Sequence, residues 1–128
     1  MVDTSGSIDM RALGRIYAEI RSAIEQFNGK LYGELGFFDT NVIEPVQFES
    51  IDDIGSIVPY GGGGTDFRCI FDYLNTQRTE NPPASIVIFT DGYGTFPEEN
   101  SSTDSPVLWV LNNNKVTPPW GTVCRYSE

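Results

Sequence analysis

The chain contains no histidine. The commonest general base of enzymes and the commonest zinc ligand are therefore both missing. Cysteine is almost as scarce, with Cys69 and Cys124 the whole complement. Cys69 falls among apolar neighbours in a helical pattern, which reads as a buried, inert thiol rather than a disulfide partner or a nucleophile. An intracellular, cytoplasmic protein is the simplest expectation. Positive charge is also short, with 8 Lys and Arg against 18 Asp and Glu, a net charge of −10. That balance argues against nucleic acid and anionic membranes, where basic side chains supply most of the affinity. No apolar run approaches the ~20 residues of a membrane span, and the start carries no signal-peptide pattern.

What remains is a 128-residue chain with 39% hydrophobic and 12% aromatic residues, enough for one domain with its own core. An acidic surplus of this size serves solubility first, and a preference for cations or basic partners second. There is no internal repeat, heptad or low-complexity tract.

Leu13, Ile16, Tyr17, Ile20, Ile24 and Phe27 recur at three- and four-residue steps. They predict an amphipathic helix from about Asp9 to Asn28, capped by Ser7 or Asp9 and stopped by Gly29. Lys30 to Phe38 and Val42 to Phe48 read as strands joined by the turn Asp39-Thr40-Asn41. That pair should be antiparallel, and Pro45 assigns the second strand to a sheet edge. Residues 50 to 60 read as loop with at most one helical turn. Phe67, Ile70, Phe71 and Leu74 mark a second helix, opened by Thr65 or Asp66 and ended before Pro82-Pro83. Ala84 to Thr90 and Val107 to Leu111 are apolar without a polar break, as in parallel strands buried on both faces. A last strand is expected near Thr122 to Tyr126. The alternation predicts an α/β fold: a Rossmann-like open, mostly parallel sheet with helices on both faces and one antiparallel edge strand.

Three polar pieces punctuate this pattern: Asp3-Thr4-Ser5-Gly6-Ser7, the loop Gly61-Gly62-Gly63-Gly64-Thr65-Asp66, and Thr90-Asp91-Gly92. Each lies after a strand or before a helix, where loops of an open α/β sheet gather at the carboxyl ends of the strands and bind ligands. Asp3, Ser5, Ser7, Thr65 and Asp91 offer two carboxylates and three hydroxyls. These are hard oxygen donors of the kind Mg²⁺ prefers, with Mn²⁺ or Ca²⁺ as alternatives. Asp, Ser, Thr and Gly are also ordinary residues of turns and caps. Asp66 reads better as a helix cap or a supporting partner, Asp39 as a turn residue, and Asp52, Asp53, Glu98 and Glu99 as solvated surface.

The set closely resembles the metal-ion-dependent adhesion site of von Willebrand factor A (VWA) domains. Its pattern is Asp-x-Ser-x-Ser, then a Thr in a second loop, then an Asp in a third. Asp3, Ser5 and Ser7, Thr65, and Asp91 fill those positions in order, and the resemblance spans nearly the whole chain. Gly61–Phe67, Ile88–Gly92 and Pro106–Leu111 look in particular like a bacterial group of VWA-like domains. In that group the domain lies carboxyl-terminal to a metallopeptidase-like region, and some relatives act beside AAA+ ATPases of the MoxR type. The resemblance implies a protein-binding module whose bound cation accepts an Asp or Glu carboxylate from a partner. A VWA domain carries about five or six strand residues before its first Asp, whereas only Met1 and Val2 precede Asp3 here. Residues 1–128 are thus expected to be a carboxyl-terminal fragment of a longer protein, with self-association through the shortened first strand.

Two other readings stand beside this one. A metal-assisted hydrolase would use the same oxygen ligands, but the chain offers no histidine and no evident general base. An aspartic protease is disfavoured because Ser5 follows Asp3-Thr4, Gly92 follows Asp91 directly, and the α/β order is wrong for an all-β fold. The third reading is a structural domain that no longer binds metal.

Overall fold

The computed structural model describes residues 1–4, 10–26, 33–48, 64–80, 82–99 and 103–125. The strands are β1 (Val2–Asp3), β2 (Gly33–Phe38), β3 (Val42–Phe48), β4 (Ile86–Thr90), β5 (Val107–Leu111) and β6 (Thr122–Arg125). Helix α1 spans Met10–Gln26 and α2 spans Arg68–Gln77. The six strands form one sheet in the order β3-β2-β1-β4-β5-β6. This is the order of a doubly wound sheet whose direction reverses between β1 and β4.

Every neighbouring pair is parallel except β2 and β3. Those two are antiparallel, as the short turn between them requires, since parallel strands need a long crossover. Asp39 closes the turn, its Oδ1 accepting the Asn41 N–H at 3.0 Å. Pro45 lies in β3, at the sheet edge, where a missing N–H costs no ladder bond. Central β1 is held on both sides. Val2 stands opposite Phe37 of β2 and Phe89 of β4, and the Phe89 N–H donates to the Met1 carbonyl at 2.9 Å.

Successive strand side chains point to opposite faces, so each face carries its own core. On one, Ile16 of α1 packs with Val2, Leu35, Phe37, Phe89 and Val110. On the other, Ile70 and Phe71 of α2 pack with Phe38, Ile86, Ile88 and Trp109. The apolar run Ile-Val-Ile-Phe in β4 thus feeds both layers, which explains why it has no polar break. Phe67, just before α2, anchors an aromatic group: it stacks on Phe96 at 4.6 Å and meets Trp109 edge-on at 5.2 Å between centroids.

The helix start departs in detail from the sequence expectation. The cap position of α2 is Phe67, which has no side-chain cap. Asp66 acts one step earlier, its Oδ1 accepting the Arg68 N–H at 3.0 Å. Cys69 is half-buried rather than buried, and its thiol is pushed up to about 12, chiefly by burial and then by the nearby acidic groups. Expectations for residues 27–32, 49–63, 100–102 and 126–128 lie outside the described residues.

Candidate metal centre

Asp3 ends β1 and Asp91 follows the last residue of β4. The two strands are neighbours running in the same direction, so both carboxylates stand at the carboxyl edge of the sheet, at its reversal point. A ligand of a doubly wound sheet is expected in that crevice. Both residues are buried, Asp3 at 0% and Asp91 at 7% exposure. Carboxylates are rarely buried without partners, hydrogen bonds or a coordinated cation.

Asp3 is met by hydroxyls from two directions. Thr90 donates to its Oδ2 at 2.6 Å, and Thr65, from the loop before α2, donates to its Oδ1 at a long 3.5 Å. One residue on, the Thr4 hydroxyl and N–H both donate to the Phe38 carbonyl, at 3.1 and 2.9 Å, tying the end of β1 to β2. Asp91 Oδ1 accepts the Tyr93 N–H at 3.0 Å, and the Asp91 carbonyl accepts the Asn113 amide at 2.8 Å. Asn113 Oδ1 in turn accepts the backbone N–H groups of Lys115 and Val116. The turn after β4 is therefore bound to the turn after β5.

The Thr65 and Asp91 loops are also fastened to each other. Asp66 bridges to Thr95 in parallel, and the Phe67 N–H donates to the Thr95 carbonyl at 3.0 Å. This approach requires Gly94: a Cβ there would lie 2.8 Å from the Phe67 ring and 3.0 Å from the Thr65 carbonyl. The Asp66 N–H donates to the Asp39 carbonyl at 2.9 Å, which locks the same loop to the end of β2.

Of the five sequence candidates, the structure thus draws Asp3, Thr65 and Asp91 to one edge, while Ser5 and Ser7 lie outside the described residues. Asp66 is not among the groups facing Asp3. It forms a two-pronged pair with Arg68, at 2.8 and 2.9 Å, and that guanidinium holds its carboxyl below the usual range. Thr90, Gly94 and Asn113 support this edge without a sequence signal of their own. Thr90 belongs to the run Thr90-Asp91-Gly92, but nothing in the sequence tells a strand-ending hydroxyl that faces a carboxylate from one that faces a neighbouring backbone. The run Asn112-Asn113-Asn114 signals a turn, without indicating what that turn would hold.

The donor set fits a hard cation. Its described members are two buried carboxylates and the half-buried Thr65 hydroxyl, and among the described residues no three Asp, Glu, Cys or His side chains are grouped so that they could hold a metal ion. Oxygen donors of this kind suit Mg²⁺, which also keeps several waters. Parallel strands in this order with helices on both faces define a Rossmann-like α/β domain of the VWA-like kind. The chain belongs to the family described as VWA-like domain (DUF2201), whose model matches residues 1–127. No curated protein and no solved structure matches it. Among the described residues no helix is long and apolar enough to cross a membrane.

Proposed function

We propose that this VWA-like domain binds one divalent cation, Mg²⁺ foremost, and uses it to hold a carboxylate of a partner protein. The observation that carries this reading is the convergence on Asp3 of the Thr65 and Thr90 hydroxyls at the reversal point of the sheet, with Asp91 beside it. Asp3 and Asp91 would offset the charge of the ion, and Ser5, Ser7 and Thr65 would add neutral oxygens. When bound, the cation supplies a positive centre that a partner Asp or Glu can complete. The chain's own contribution is to hold the described oxygens in place: hydrogen bonds to Phe38, Asp39, Thr95 and Asn113 fix the end of β1, the loop before α2 and the turn after β4. Mn²⁺ and Ca²⁺ are the alternative ions. A protein offering an Asp or Glu is the first partner to try, with a MoxR-type AAA+ ATPase among the candidates. The domain alone is proposed to have no enzymatic activity, because the chain has no histidine and both carboxylates of the candidate set would be engaged with the cation.

A second reading draws on the 2.6 Å Thr90–Asp3 bond. In it Asp3 is a structural carboxylate that ties β1 to β4 and to the loop before α2. Thermal unfolding in a series of Mg²⁺ and Mn²⁺ concentrations, on the wild type and Asp91→Ala, separates the two. A cation at ten times its dissociation constant adds about 1.4 kcal/mol, a rise of several degrees for a domain of this size. The binding reading requires that rise in the wild type and its loss in Asp91→Ala. A flat series in both proteins leaves the structural reading standing.

A further inference from the structure

Between Asp104 and Glu128 the sequence holds no acidic residue, although the chain as a whole carries a net charge of −10. Lys115 and Arg125 are the charged groups of that stretch, and the fold brings them together at one end of the sheet. Strand β6 is the last strand on its side. Arg125 ends it opposite Leu111, the last residue of β5, and so stands at the carboxyl edge. Its guanidinium reaches over the turn after β5. Nη1 donates to the Asn113 and Val116 carbonyls at 2.7 and 2.9 Å, and Nη2 donates to the Thr117 hydroxyl at 2.9 Å. Lys115 lies in that same turn and is exposed. All three acceptors around Arg125 are neutral, and among the described residues neither cation has a carboxylate partner.

The backbone of β6 is open beside these cations. One side of the strand pairs with β5, and the described residues offer no ladder partner to the other. An exposed edge invites a further strand, and natural sheets guard against it with proline or charge. The opposite edge is guarded in this way, since β3 carries Glu44 and Pro45. Within β6, Thr122, Val123 and Cys124 supply neither. A strand of 4 residues makes few main-chain bonds, so the side chains beside it must decide which segment is accepted.

We infer that the β6 edge is a docking site for an extended acidic segment of a partner protein. That segment adds its backbone to Thr122–Arg125 and sets its carboxylates against Lys115 and Arg125. Charge decides the occupant. A second copy meeting edge to edge would bring its own Lys115 and Arg125 to this patch, and a basic strand would bring more of the same sign. An acidic strand brings the opposite charge. The site needs no bound cation, because β4 and β5 separate β6 from β1.

The probe is a capped octapeptide that alternates Glu and Val, with a Lys–Val octapeptide as control. Each is titrated in EDTA into isotope-labelled protein, and backbone amide shifts are followed by NMR. The Glu–Val peptide should shift the amides of residues 121–125 and of Lys115 and slow hydrogen exchange along β6. The Lys–Val peptide should leave them in place. The Lys115 side chain makes no described contact, so Lys115→Ala should fold as the wild type does. It should weaken the Glu–Val peptide about two- to fivefold, the usual worth of one exposed ion pair. Lys115→Glu should weaken it further, and all these differences should fade as NaCl is raised. Equal binding of the two peptides, shifts centred on another edge, or no binding at low salt overturns the inference. Light scattering on the protein alone covers the remaining occupant. Dimers whose β6 amides are protected would place a second copy on this edge and overturn it as well.

Discussion

Gly92 has a φ of +87°, and a Cβ on it would come within 2.9 Å of the Val116 side chain. Both facts follow from the tight turn that Asp91 makes after β4. A left-handed conformation costs a non-glycine residue about 1–2 kcal/mol, and the clash adds to that. Gly92→Ala should therefore lower unfolding free energy by at least that amount in urea titrations and blunt any Mg²⁺-induced rise in Tm. Cys69 allows a second prediction at this scale. With its thiol pushed up to about 12 from an ordinary value near 9, it stays protonated at pH 8, when only about one molecule in ten thousand is thiolate. A thiol reagent at that pH should modify exposed Cys124 quickly and Cys69 only after unfolding. The raised value also sets a direction for stability. The folded protein keeps the proton longer than the unfolded chain does, so this group's contribution is complete below about pH 9 and fades as pH climbs toward 12.

Among the elements, α2 positions the site most directly, because Thr65 and Asp66 lead into it. Its two ends are fastened differently. At the start, Asp66 binds the Arg68 N–H and guanidinium, but Arg68 is largely exposed, so the pair adds little. At the other end Arg78 pairs with Glu34 of β2. The burial that holds the helix is aromatic. Phe67 is fully buried and lies within 5.7 Å, between ring centroids, of Phe38, Phe96 and Trp109. Phe67→Ala should cost about 3–5 kcal/mol, read as a lower denaturation midpoint. Because Phe67 also seats Gly94, cation binding should weaken in that variant even where it remains folded.

At the scale of the whole molecule, the charge of −10 makes every added cation stabilising to some degree, since salt screens self-repulsion. The specific effect must be read above that background. At matched ionic strength, Mg²⁺ should raise Tm beyond NaCl in the wild type, and the two salts should coincide in Asp91→Ala. Calorimetric scans of both proteins in both salts measure the difference. Coincident curves in the wild type would mean that only general screening operates.

The repeat of apolar residues every two or every three to four positions was legible along the chain, and with it both helices, the antiparallel turn at Asp39 and the buried character of β4 and β5. Those are local properties, set by how side chains project from a strand or a helix. The same logic placed Asp3, Thr65 and Asp91 in loops at the carboxyl edge. Three things required the tertiary structure. One was the strand order that sets β1 beside β4. Another was the close packing at Gly94 that joins the Thr65 loop to the Asp91 turn. The third was the hydrogen bond from Thr90 to Asp3. All three link residues tens of positions apart, and a one-dimensional pattern carries no record of which distant group a buried hydroxyl will meet. That choice is made when the sheet closes and every buried polar group must find a partner.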